Sequence, residues 1–249
     1  MLPLKRRINR IFKKAGFTIH RYPVRANDPY IEKTVRTMER FGIDTLFSVG
    51  ANRGQYALQL RRTGYRHRII SFEPLKSAFR VLEQNAANDP LWTVNNFALG
   101  DEDRISVINV AGNSYSSSLL DMLPAHYESA PNSKYIGQEM TEVRKLDTVF
   151  SQFAQQGDTI MLKIDTQGFE KNVLEGAAAS LEYIRVVQLE ISIVPLYRDE
   201  MLLVDMLRYM NEKGYLLYLM TEEFSDENTC QLLQVNTTFV KKDFMVNSR

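Results

Sequence analysis

The chain has 249 residues, 44% of them hydrophobic and 24% charged, with a formal net charge of +1, room for one large α/β domain or for a domain with an appended segment. A single cysteine, Cys230, excludes a disulfide framework and a cysteine metal cluster within the chain. No apolar run reaches the roughly 18 residues that a membrane-crossing helix needs.

Charge is unevenly spread. Eight of the chain's 31 basic side chains (Lys5, Arg6, Arg7, Arg10, Lys13, Lys14, Arg21, Arg25) lie in residues 1–27, where no acid occurs; the other 23 share the rest of the chain with 30 acids. The balance argues against general nucleic-acid binding by the body and points to an anionic partner for the head alone. Leu4, Ile8, Ile11, Phe12 and Ala15 make one apolar stripe of a helix over 4–15, and Gly16 ends it. Such a helix packs on the body with a solvated basic face, or lies on an anionic membrane through residues 1–22. A transit peptide is a third reading, and the lack of serine counts against it. The segment has no continuous apolar core before a small-residue cleavage site, so it does not read as a secretory signal. The expected division is a basic segment, 1–27, and one domain, 28–249, in the cytoplasm with peripheral contact at the inner face of a membrane.

Asp28-Pro29 reads as a helix start, with Ile31, Val35 and Met38 on one face and Gly42 as the stop. A strand over 45–49 then runs into Gly50-Ala51-Asn52-Arg53-Gly54 and a helix over 54–63. Strand, glycine turn and helix bring backbone N–H groups to a ligand. A second strand over 68–73 ends in Glu73, where an acid can accept two hydrogen bonds from a ribose diol. A dinucleotide fingerprint would need glycine where Asn52 and Gln55 stand, and no phosphate-binding loop of the Gly-Lys-Ser/Thr type occurs. A single glycine turn, an acidic ribose anchor and no pyrophosphate cradle favour S-adenosylmethionine (SAM). A nicotinamide dinucleotide and a purely structural turn remain the alternatives.

A helix over 75–87 and a strand over 92–97 follow, then Asn96, Ala98 and Asp101 near the expected adenine edge. Residues 104–110 read as a strand, and 111–140, with Ser116, Ser117, Ser118 and His126, as a long loop. The pattern resumes with a helix over 147–154, a strand over 159–164, a helix over 170–181, a strand over 186–193 and a helix over 199–212. Strands over 215–220 and 235–240 can close as an antiparallel pair. Repeated alternation of this kind implies a Rossmann-like α/β fold with a seven-stranded, mostly parallel sheet, an antiparallel last strand and helices on both faces.

Five motifs in this order resemble the FkbM-type SAM-dependent methyltransferases over about residues 45–240: Val49-Gly50-Ala51-Asn52-Arg53-Gly54, Phe72-Glu73-Pro74, Ala98-Leu99-Gly100-Asp101, Ser116-Ser117-Ser118-Leu119 and Leu162-Lys163-Ile164-Asp165-Thr166-Gln167-Gly168-Phe169-Glu170. The family pattern has an aspartate before Val-Gly-Ala-Asn; this chain has Ser48. The resemblance implies transfer of the SAM methyl group, most often to an oxygen of a sugar or polyketide-like product.

Removing a hydroxyl proton needs a positioned base or a metal. Asp165, at the carboxyl end of a buried strand, is the first candidate for the base. Glu190, an acid inside an apolar strand, is the second, with Lys163 as its expected partner; His126 is the third. Gly50, Ala51, Asn52, Gly54, Glu73, Asn96, Ala98 and Asp101 are the expected cofactor contacts. Ser116, Ser117, Ser118 and Gln167 are the expected contacts to a small-molecule or glycan acceptor. Glu170 serves either the site or the dipole of its own helix. Asp165, Glu190 and Asp101 could hold a divalent cation, though no ligand spacing calls for one.

Overall fold

The structure is a computed structural model that describes residues 29–246, so the helix expected over 4–15 and the cap at Asp28 lie outside the described residues. The first described helix, α1, is Pro29–Arg40. Strand β1 (Thr45–Val49) is buried along its whole length and is flanked by the parallel strands β2 (Arg68–Phe72) and β7 (Ile160–Ile164). Between β2 and β7 the chain forms β3 (Trp92–Asn95), β4 (Ala98–Leu99), β5 (Arg104–Ala111) and β6 (Tyr135–Arg144). Strands β8 (Ile184–Ser192), β9 (Tyr215–Ser225) and β10 (Leu232–Lys241) complete a seven-stranded sheet in the order β3-β2-β1-β7-β8-β10-β9, in which β10 runs antiparallel to both neighbours.

Both faces of this sheet are covered, which is why its central strands are mostly apolar rather than alternating. Phe47 and Val49 of β1 join Phe72, Leu162, Ile164 and Leu189 in one core cluster. Leu46, on the opposite face, packs with Ile69, Met161 and Val186 against Ile31, Val35 and Met38 of α1 and Tyr56, Ala57 and Leu60 of α2 (Gln55–Thr63).

Several boundaries differ from the sequence expectation. Residues 111–140 are not one loop: they hold the short helix α4 (Pro124–Ser129), which follows α3 (Lys76–Ala86), and the start of β6. Strand β6 pairs along its length with β5, and with β4 it builds a second sheet of order β4-β6-β5. Its alternation escaped notice because its exposed and partly buried positions mix polar and apolar residues. The strand expected to run to 97 stops at Asn95, where the Asn96 side-chain amide donates to the carbonyls of Glu73 and Pro74 and turns the chain toward the second sheet. After α5 (Leu146–Phe153), helix α6 (Glu170–Glu175) is short. It ends at Gly176, where a Cβ would stand 1.8 Å from the Gly100 carbonyl oxygen. Helix α7 (Leu203–Glu212) starts later than expected, because Asp199 has φ 58° and the Glu200 carboxylate accepts the N–H groups of Leu196 and Tyr197. A final short helix, α8, spans Lys242–Val246.

Candidate active site

The strand register sets a polar row across the otherwise apolar sheet. Ser71, Ser48, Lys163, Gln188 and Thr238 are successive partners on β2, β1, β7, β8 and β10. Two residues further along each strand, on the same face, stand Glu73, Gly50, Asp165, Glu190 and, paired with Glu190, Asn236. Three carboxylates are thus delivered to the carboxyl ends of neighbouring strands, where open α/β sheets bind ligands. There they line a cavity of about 500 Å³, with Glu223 as a fourth acid on its wall.

The glycine turn works differently from the expectation. The N–H groups of Gly50 and Ala51 both donate to the Phe72 carbonyl, that of Asn52 to Glu73 Oε2 at 2.7 Å, that of Arg53 to Asn52 Oδ1, and that of Gly54 to the Ala51 carbonyl. Every turn donor is taken within the chain, so the loop is no phosphate cradle. Gly50 has φ 72°, and a Cβ on it would stand 1.8 Å from the Asp165 carbonyl oxygen. Its lack of a side chain lets the ends of β1 and β7 close up.

Glu73 is buried in the cavity wall. Its Oε1 accepts the Leu75 N–H at 2.9 Å while its Oε2 takes that of Asn52, and each oxygen keeps a second acceptor position. Burial pushes its carboxyl up to about 7, against the two backbone hydrogen bonds that favour the charged form.

At the other end of the row the expected Lys163–Glu190 pair does not form. Lys163 Nζ sits 2.9 Å from Asp165 Oδ2 and over the ring of Tyr56. Glu190 is met instead by Gln167, whose Nε2 donates to Glu190 Oε1 and to Asp165 Oδ1, each at 3.0 Å. Gln167 Oε1 accepts the Tyr197 hydroxyl at 2.8 Å. One amide therefore spans two carboxylates while a buried tyrosine fixes which way it faces. Gln167 has φ 57°, and its carbonyl is held by the Ser118 hydroxyl at 2.7 Å. Glu170 closes the same turn by accepting the N–H groups of Thr166 and Gly168, so its carboxylate serves the loop. Among the described residues no cation is in hydrogen-bond contact with Glu190. Burial first, and then the charges of Asp165 and Glu223, hold its carboxyl well above the usual carboxylate range, although Lys163 pulls the other way.

His126 is not a loop residue in solvent. It lies on α4, buried between the rings of Tyr197 and Phe224, with Nε2 3.2 Å from the Ser116 hydroxyl. Burial lowers its pKa to about 4, so it is neutral near pH 7 and a poor proton acceptor there. The serines bond mainly to the chain itself: Ser116 to Asn113 and His126, Ser117 to the Ala111 N–H, and Ser118 to Gln167.

Gly50, Asn52, Glu73, Ala98, the three serines, His126, Asp165, Gln167 and Glu190 all line the cavity. Ala51, Gly54, Asn96 and Asp101 do not. A Cβ on Gly54 would run into Leu82 and Trp92 at 2.8 Å, so that glycine serves packing. Asp101 pairs with Arg104 away from the cavity, which removes it as a third ligand beside Asp165 and Glu190. Among the described residues no group of three or more His, Cys, Asp or Glu could hold a metal. Tyr197, Glu223, Phe224 and Asn236 went unread in the sequence. Asn236 carried a signal, since a polar residue in a buried strand raises the same question that Glu190 did.

A doubly wound sheet with its antiparallel strand next to the edge thus carries an acid-lined cleft at the carboxyl ends of its strands. The protein-family model described as the methyltransferase FkbM domain matches residues 48–217, and the chain belongs to that family. Similar solved structures include a putative O-methyltransferase from Klebsiella pneumoniae (14% identity, 96% of this chain and 90% of that one, TM-score 0.47). A putative RNA methyltransferase from Pyrococcus horikoshii has 14% identity and TM-score 0.46, with 100% of both chains covered. Fibrillarin from Aeropyrum pernix, solved with natively bound SAM, has 9% identity and TM-score 0.44 over 79% of this chain and 66% of that one. A comparison with curated proteins gives no match.

Proposed function

We propose that this FkbM-family chain is an O-methyltransferase that uses SAM to methylate a hydroxyl of a sugar or glycoconjugate. The cavity fits that cofactor on its own chemistry. Four carboxylates and one ion-paired lysine suit a ligand bearing a sulfonium and an ammonium, and a turn with no free N–H suits a ligand without phosphates. Glu73 would hold the ribose hydroxyls, with Gly50 and Asn52 beside them and the apolar wall of Phe72, Leu75, Ala98 and Leu99 toward the base.

The observation that carries the oxygen specificity is Glu190 on its Gln167 tether. An amine is already nucleophilic when neutral and a carboxylate needs no base, but a hydroxyl must lose its proton as it attacks. When bound, SAM supplies a methyl group on a positively charged sulfur. The chain's own residues do the rest. Glu190 accepts the hydroxyl proton, Gln167 fixes its orientation, and Asp165 neutralises Lys163 while sharing the Gln167 amide. Holding the acceptor hydroxyl in line is where most of the barrier reduction lies, about 7–11 kcal/mol for well-oriented reactants.

Incubating the protein with methyl-labelled SAM and a cell glycan extract tests the reading. Label in an alkali-stable methyl ether of a sugar is the expected product. Label in an alkali-labile ester, in an N-methyl group, or in no acceptor at all contradicts it.

A further inference from the structure

The basic segment, residues 1–27, has no part in the chemistry above, but its point of attachment is informative. Helix α1 begins at Pro29, and Tyr30 and Ile31 in its first turn line the cavity, so the chain that follows the basic segment enters the domain beside the cavity. Tyr115 lines the same cavity and is 57% exposed, which puts it on the rim. Ile136, 74% exposed, lies over Gly112, three residues before Tyr115 in the chain, its Cγ2 3.7 Å from where a glycine Cβ would stand. Ile136 starts an apolar strip on the outer face of the small sheet, where Met140 (56% exposed) stands directly opposite Val107 (41% exposed). Between Ile136 and Met140 on β6 stands the uncharged, exposed Gln138, whose amide donates to the buried Asn109 opposite it.

We infer that this rim is a docking surface for an anionic lipid bilayer, with the Tyr115–Ile136–Met140 strip entering the headgroup layer and the basic segment supplying the charge attraction. Charge complementarity selects the occupant. The segment carries eight cations and no acid, while the remaining chain has 23 basic against 30 acidic residues and would be repelled by the same lipids. Cations next to exposed large apolar side chains are what binds at an anionic bilayer surface. A second copy of the chain would bring two such basic segments together, which like-charge repulsion opposes. The inference goes beyond the methyl-transfer reading and does not depend on it.

Co-sedimentation of the full chain with vesicles tests it, using phosphatidylcholine alone and phosphatidylcholine with phosphatidylglycerol, at about 0.1 M and about 1 M salt. At the lower salt the protein should bind the anionic vesicles at least about tenfold more tightly than the neutral ones, and high salt should remove most of the difference. Replacing Ile136→Ser and Met140→Ser together should weaken anionic-vesicle binding about tenfold, with melting temperature and SAM affinity unchanged. Equal binding to both vesicle types at low salt, or no binding, overturns the inference, as does a strip variant that binds like the wild type. A wild-type dimer that the strip variant converts to monomer overturns it too, by assigning the strip to a contact between copies. SAM affinity measured on the same samples keeps failure of docking separate from failure of the catalytic reading.

Discussion

Replacing Glu190→Gln lowers kcat by about 10²–10⁴, the usual contribution of a positioned general base, and leaves SAM affinity within about threefold. Glutamine keeps the volume of the side chain and can still offer an amide oxygen to Gln167 Nε2, so the hydrogen bond across the cleft survives. What disappears is a group able to take a proton. The pH profile supplies a second readout. Burial and the neighbouring acids Asp165 and Glu223 raise the Glu190 pKa above the ordinary carboxylate range. A base works in its deprotonated form, so kcat of the wild type should climb with pH through that raised value and then level off. The climbing limb should be absent from the residual activity of the variant. Activity within about tenfold of wild type, a barrier change of roughly 1.4 kcal/mol, would show that Glu190 is not the base.

The second large effect is on stability. Asp165→Asn removes the one carboxylate, among the described residues, within salt-bridge distance of Lys163, whose side chain is only 8% exposed. Breaking a buried ion pair from one side costs about 3–5 kcal/mol, because the remaining charge has no compensation. Asp165 is 28% exposed, so water relieves part of the penalty and about 3 kcal/mol is expected. The variant should show a lower urea midpoint with an unchanged slope. Adding Lys163→Met should recover most of the loss, since methionine can pack against Tyr56 without a charge. A single variant as stable as wild type, or a double variant less stable than the single one, would mean that Asp165 is not what holds Lys163 in place. The ion pair also explains why Asp165, the sequence's first candidate for the base, is the less suitable of the two acids: Lys163 occupies one of its oxygens and Gln167 the other.

How far the sequence could be read depended on the kind of interaction. The β1 turn, Glu73 at the end of β2 and Glu190 inside an apolar strand were legible, because burial pattern and strand ends are local properties. The mostly parallel character of the large sheet was legible in the alternation of strands and helices, but its strand order was not read. Strand β6 was missed because a half-exposed hairpin carries mixed residues on both faces. Lys163 and Asp165 are two apart on one strand and so share a face, which made their pairing readable in principle. The bond from Gln167 to Glu190 was not readable. It needs a non-glycine residue at positive φ, held by a hydroxyl 49 positions away, and no local pattern announces that. Asp101 and Asn96 were placed by motif position alone; one pairs with Arg104 and the other ties down the Glu73–Pro74 backbone.

The central claim is that SAM binds at the carboxyl ends of β1 and β2 with its ribose on Glu73, and calorimetric titration of the wild-type chain and of Glu73→Gln tests it most directly. Glutamine puts an NH₂ donor where Glu73 now accepts from a backbone N–H, and it cannot present two anionic oxygens to a diol. Hydrogen bonds to a charged group are worth about 1.5–3 kcal/mol each, so the variant should bind SAM about 10- to 100-fold more weakly, at one site per chain. A wild-type chain that binds no SAM, or a variant that binds it as tightly as the wild type, would contradict the account.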